Sequence, residues 1–158
     1  MSALIRLDVE GKGLNEGVKI EDVPAVETWA RLKADAEAVL VDVRTRAEWT
    51  FVGLPDLSML NKRVVTVEWQ TFPEGRTDPG FVERLCGLLE GAGVSKDAEL
   101  FFICRSGARS FAAAQAMADA GYARSRNVED GFEGPLDASQ KRGQVAGWKA
   151  AGLPWRQG

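Results

Sequence analysis

The sequence predicts an α/β fold: a mainly parallel sheet of about five strands with helices on both faces. Three observations lead there. Short apolar runs, AVLVDV and AELFFIC above all, alternate with longer segments of helical spacing. These runs are apolar nearly throughout, as strands buried on both faces are. No internal repeat or low-complexity linker breaks the alternation, so right-handed βαβ crossovers connect the strands.

Taken in order, GVKIEDV reads as a short strand or turn. PAVETWARLKAD follows as a helix, with Pro24 at its start and Val26, Trp29, Ala30 and Leu32 along one side. AVLVDV, residues 38 to 43, is a buried strand, and TRAEW a short helix that Thr45 can cap. RVVTVEW is the next strand. DPGFVERLCGLLEGAG is a helix with Pro79 near its start and glycines closing it. AELFFIC is a central strand, and RSFAAAQAMADAGY an alanine-rich helix ended by Gly121. RSRNVED gives a last strand, and VAGWKAAGLPW a last helix.

The chain has 158 residues, enough for one domain spanning 1–158 and too few for two of ordinary size. Apolar residues make up 45% and charged residues 27%, with a net charge of -3. That balance gives no support to a nucleic-acid binder, and no single-sign run forms a polybasic tail. MSALIRLDVEGKG holds no continuous apolar segment, so neither a signal peptide nor a membrane span is expected, and the default address is cytoplasmic.

The cysteine and histidine counts narrow the chemistry. In a cytoplasmic chain two cysteines are expected to be free thiols, and two cannot build a cysteine-only zinc site. Histidine is absent altogether, which removes His-metal sites, Cys-His dyads and Ser-His-Asp triads together. Any catalytic cysteine must then be activated by backbone amides, a helix terminus or Arg and Lys. Cys86 lies at helical spacing with Val82, Leu85 and Leu89 and reads as core; its sharper reading is a resolving thiol.

Cys104 is different. It ends the strand in FFICRSGARS, just before a loop that feeds a helix. In parallel sheets, sites lie beyond the carboxyl ends of strands. A helix amino end leaves backbone N–H groups unpartnered and is electropositive. Gly107 can take a positive φ, so that successive N–H groups converge on a negative sulfur. Arg105 and Arg109 add charge and forked donors, and Ser106 and Ser110 add hydroxyls. Arg44, Trp69, Glu129 and Asp130 fall at the same sheet edge. Such a loop suits a small anionic substrate, through phosphoryl or sulfur transfer. Cysteine phosphatases need Arg six positions after Cys, where this chain has Ser110. The shorter cradle favours a single persulfide sulfur.

Three motifs carry a family resemblance. CRSGARS resembles the active-site loop of single-domain rhodaneses, which opens with Cys and often reads Cys-Arg-x-Gly-x-Arg. VLVDVRTRAEW resembles their amino-terminal signature, with Glu48 and Trp49 as its acidic-aromatic pair. GWKAAGLPW resembles their carboxy-terminal signature. They fall in family order, within a signature-bearing region of about residues 18 to 155. Two stretches depart from the pattern. FVGLPDLSML replaces the Gly-His-Ile-Pro-Gly-Ala stretch, and the polar segment 135–146 is an expansion.

The resemblance implies a sulfurtransferase that carries sulfur on Cys104. Backbone amides of Arg105, Ser106, Gly107, Ala108, Arg109 and Ser110 would hold the outer sulfur. The cycle would be a double displacement from a small anionic donor such as thiosulfate to cyanide or a thiol, a protein thiol included. No metal, cofactor, nucleic acid or membrane is called for. Asp42, Arg44 and Glu48 read as an ion-pair cluster bracing the site, and Trp69 as either packing or pocket lining. Trp29, Trp49, Trp148 and Trp155 read as packing. The alternatives are a non-catalytic rhodanese-like binding or regulatory module and, after it, a cysteine phosphatase. Segment 135–146, with Lys141 and Arg142, is expected to border the site mouth or to be a solvated surface loop.

Overall fold

The structure, a computed structural model, describes residues 19–157. The amino-terminal MSALIRLDVEGKG stretch, and with it the expectation about a signal peptide, lies outside the described residues. Among the described residues no helix is long and apolar enough to cross a membrane.

The sheet has five parallel strands: β1 (Glu21–Val23), β2 (Val39–Asp42), β4 (Val65–Thr66), β5 (Leu100–Ile103) and β6 (Ser125–Val128), in the order β1-β6-β5-β2-β4. The apolar run 100–103 takes the centre because all four of its residues are fully buried. Side chains alternate across a strand, and β5 divides accordingly. Leu100, Phe102 and Cys104 join the cluster that packs on α3 (Phe81–Gly91) and α4 (Ala108–Asp119). Phe101 and Ile103 join the opposite cluster, with Leu32 of α1 (Ala25–Ala34), Phe132 and Trp148. Each such buried side chain contributes roughly 1.5–3 kcal/mol of transfer free energy. Ala113, Ala114 and Ala118, all fully buried, let α4 lie close against β5 and β6.

Three local expectations need correction, and one element is added to them. The buried side of α1 is Ala25, Thr28 and Leu32; Val26 is exposed. Thr28 is drawn inward as its hydroxyl donates to the Val23 carbonyl, at 3.5 Å. The RVVTVEW strand is only Val65–Thr66, an edge strand with β2 as its single neighbour. A second sheet, β3 (Leu54–Pro55) antiparallel to β7 (Trp155–Arg156), carries no signal in the sequence. The tail GWKAAGLPW forms turns rather than a helix, with Gly147 and Gly152 at φ +100° and +76°, conformations that interrupt a right-handed helix.

That tail nonetheless holds the site end together. Trp148 is fully buried; its backbone N–H donates to the Gly131 carbonyl at 2.9 Å, and its indole N–H to the Pro154 carbonyl at 2.7 Å. Two cations lie over the Phe132 ring, the Arg44 guanidinium 4.2 Å and the Lys149 ammonium 5.3 Å from its centre. Trp29 meets Trp148 edge-on, at 6.0 Å between ring centres.

Candidate active site

Cys104 follows β5 directly, and the loop 105–107 turns the chain into α4. Gly107 stands at the helix start with φ +118°, the left-handed region that glycine enters without strain. The turn brings two backbone N–H groups and one hydroxyl to the same sulfur. Cys104 Sγ lies 3.2 Å from the Gly107 N–H nitrogen, 3.3 Å from that of Ser110 and 3.2 Å from the Ser110 hydroxyl oxygen. Cys104 is 1% exposed, so these groups stand around the sulfur in place of water.

The loop is supported from behind by the chain after β6. Phe132 N–H donates to the Cys104 carbonyl at 2.7 Å, and Glu133 N–H to the Arg105 carbonyl at 2.9 Å. Gly131 makes this approach possible. A Cβ there would run into the Cys104 carbonyl oxygen and would lie 2.7 Å from the Arg105 carbonyl.

Thr45 caps α2 (Arg46–Phe51) in a reciprocal capping box with Glu48, as the Thr-x-x-Glu spacing predicts. The expected three-member cluster divides into two pairs. Asp42 and Arg44 pair with each other, fully buried, at 2.7 Å. Arg44 also donates to the Gly53 carbonyl at 2.8 Å, while its Nη1 is buried without a hydrogen-bond partner. Glu48 turns instead to Arg109 and accepts from both terminal nitrogens at 2.8 and 3.0 Å. Burial pushes the Glu48 carboxyl up, but the Arg109 guanidinium and the Thr45 N–H outweigh it and hold it at about 2. The Glu48 carboxylate in turn holds the Arg109 guanidinium above its ordinary range, against the opposing effect of burial. Arg109 thus gives its fork to a carboxylate of the same chain.

A cleft of about 570 Å³ opens beside the loop. Arg105, Arg109, Glu48, Glu133 and Arg142 supply its polar wall, and Phe51, Val52, Phe72 and Pro73 its apolar one. Arg142 therefore reaches the cleft from the expanded segment, anchored by its bond to the Gly134 carbonyl at 2.8 Å. Lys141 is exposed and does not line it. Ser106, Gly107 and Ala108 line a second opening, with Asp22, Asn127, Glu129 and Asp130. Trp69 packs edge-on against Phe81, at 4.9 Å, and is not among the cleft residues.

Sequence reasoning missed two residues here, Asn127 and Asp22. Asn127 on β6 accepts from the Ser110 hydroxyl at 2.5 Å and donates to Asp22 of β1 at 2.8 Å. A polar residue inside a buried strand is a visible signal for Asn127; nothing local marks Asp22. Cys86 is half-buried against the core, and burial pushes its thiol up. Among the described residues no group of three His, Cys, Asp or Glu could hold a metal ion.

The comparisons agree with this architecture. The crystal structure of Rv0390 from M. tuberculosis superimposes with a TM-score of 0.75 at 46% identity, over 87% of this chain and 98% of that one. The uncharacterized protein RC0915 of Rickettsia conorii is 34% identical over 88% of this chain and 99% of its own. More distant are two relatives with functional names. A sulfurtransferase of Allochromatium vinosum is 24% identical over 85% of this chain and 94% of its own. The chloroplastic rhodanese-like domain-containing protein 4 of Arabidopsis thaliana is 27% identical over 83% of this chain and 24% of its own. The family described as STR4 middle domain matches residues 21–158, and the chain belongs to that family.

Proposed function

We propose that this chain is a sulfurtransferase that moves a sulfane sulfur through a persulfide on Cys104. The observation that carries the reading is the convergence of two backbone donors, the Gly107 N–H and the Ser110 N–H, on one buried sulfur. Such donors favour a negative sulfur over a neutral one. The names of the two distant relatives support the reaction class.

In the first half-reaction the Cys104 thiolate attacks the outer sulfur of thiosulfate. A sulfur–sulfur bond forms to Cys104 as the bond to the sulfite sulfur breaks, and sulfite leaves with that electron pair. In the second, cyanide or an acceptor thiolate attacks the outer sulfur, and Cys104 departs as thiolate. No proton is taken by the protein in either step, so a chain without histidine lacks nothing. The Arg109 guanidinium is committed to Glu48, so attraction of an anionic donor falls chiefly to Arg105 and Arg142. The same reading has the chain act as a single domain in the cytoplasm, without a cofactor.

Incubation with thiosulfate followed by intact mass spectrometry tests the proposal. The wild type and Cys86→Ser should each gain one sulfur atom, Cys104→Ser none, and added cyanide should return thiocyanate. An adduct that survives Cys104→Ser overturns the assignment of the nucleophile. A folded protein that takes up no sulfur from any donor would be the binding module instead.

A further inference from the structure

The Ser110 hydroxyl has one proton and three acceptors within reach. These are Asn127 Oδ1 at 2.5 Å, Cys104 Sγ at 3.2 Å and the Gly107 carbonyl at 3.2 Å. Which acceptor holds the proton decides what the hydroxyl offers the sulfur. A hydroxyl that donates to Sγ stabilises a negative sulfur; one that donates elsewhere presents only a lone pair to it.

The Asn127 amide settles the competition, and Asp22 settles the amide. Asp22 as a carboxylate only accepts, so the Asn127 NH2 must face it, and it does at 2.8 Å. Turning the amide over would set two oxygens against each other. With NH2 on Asp22, the amide oxygen is left toward Ser110 and can only accept. The short contact therefore contains the Ser110 proton. We propose that Asp22, through Asn127, holds the Ser110 hydroxyl proton away from Cys104 and so restrains the reactivity of the thiol. Asn127 and Asp22 are positioning residues, acting on the sulfur only through Ser110.

The arrangement suits a switch. Asn127 is 4% exposed, whereas Asp22 lies at the surface, in the opening it shares with Gly107, Glu129 and Asp130. Anything that neutralises or engages the Asp22 carboxylate frees the amide to turn. The Ser110 proton can then pass to Sγ without leaving its own oxygen. Arg109 is tied to Glu48 and Arg44 to Asp42.

The inference rests on Cys104 as the reactive thiol of the proposed cycle, but its test needs only alkylation. The full chain is treated with iodoacetamide across a pH series, and Cys104 modification is read on its own peptide. Asp22→Ala, an exposed change that removes the acceptor, should move the alkylation profile about one pH unit to the acid side, the size of one hydrogen bond to a charged sulfur. Asn127→Leu keeps the Asp22 charge and should move it the same way, since leucine cannot accept the proton. Glu129→Gln removes a charge from the same opening and should leave the profile in place. In a Ser110→Ala background, Asp22→Ala should move nothing. The proposal is overturned if either Asp22→Ala or Asn127→Leu leaves the profile unmoved. It is also overturned if their shift survives Ser110→Ala, or if Glu129→Gln matches it. A protein that shows these shifts yet takes up no sulfur would retain the relay and lose the sulfurtransferase reading.

Discussion

Glu48 and Arg109 meet fork to fork across 61 positions of sequence, with both guanidinium nitrogens on both carboxylate oxygens. The bond ties the short helix after β2 to the helix that begins at the cysteine loop, so two crossovers are clamped at the sheet edge where the candidate nucleophile lies. The capping box adds to the clamp, because Glu48 Oε1 also accepts from the Thr45 N–H at 3.1 Å. One carboxylate therefore orders a helix start and an arginine at once.

Acid should undo this clamp. The Glu48 carboxyl is held at about 2, below its ordinary value of 4.5. A carboxyl lowered on folding contributes stability that is full above the unfolded value and lost as pH falls through the folded one. The window thus runs from about pH 4.5 down to about pH 2. Melting temperature against pH should fall through this window in the wild type and less steeply in Glu48→Gln. At pH 7 the variant should be less stable by about 1–3 kcal/mol. Parallel pH curves for the two proteins would show that Glu48 carries no such linkage.

The buried pair behind the clamp answers differently. Asp42 and Arg44 are both fully buried, and Arg44 also lies over the Phe132 ring. Arg44→Ala leaves the Asp42 charge without a partner and should cost about 3–5 kcal/mol. Arg44→Lys keeps the charge but loses the fork and the flat face, and should recover only part of that. Urea unfolding of the three proteins measures it. Equal stability of Arg44→Lys and wild type would remove the argument from shape.

Gly131 should be unusually intolerant. Its φ is +63°, and an added Cβ would collide with backbone of Cys104 and Arg105 rather than with a flexible side chain. Gly131→Ala should destabilise by about 1–3 kcal/mol and displace the nucleophile's own carbonyl. The thiosulfate reaction should therefore fall more than stability does. An alanine variant with wild-type turnover would show that the loop can retreat.

The legible parts of this molecule were those that local chemistry decides. Apolar runs placed β2 and β5, and the Thr45 and Glu48 spacing placed a capped helix. The cysteine loop was readable because strand, glycine and helix follow one another without a gap. What was not readable depends on distant partners. The tail has helical composition, yet its last strand pairs with Leu54 and Pro55. Arg109 looks like a free anion binder until Glu48 is brought beside it. Trp69 could not be assigned between core and cleft without Phe81. Asp22 and Asn127 meet only because β1 and β6 are neighbours, with Asp22 in register with Asn127.

Within the expanded segment 135–146 the structure separates two cations that the sequence offers as a pair. Arg142 lines the cleft beside Arg105, with its guanidinium fixed on the Gly134 carbonyl; Lys141 is exposed outside it. An anionic donor approaching Cys104 from this cleft meets Arg142 and not Lys141. Arg142→Glu should therefore lower kcat/KM for thiosulfate about three- to tenfold at low salt, through slower encounter of the anion. Added salt should shrink the difference, because screening acts on wild type and variant alike. Lys141→Glu should stay near the wild-type value at every salt concentration. Steady-state kinetics for both variants, at low and high ionic strength and with more than one acceptor thiol, distinguishes a cleft residue from surface decoration. If Lys141→Glu proves as harmful as Arg142→Glu, the effect belongs to the net charge of the segment and not to the wall of the cleft.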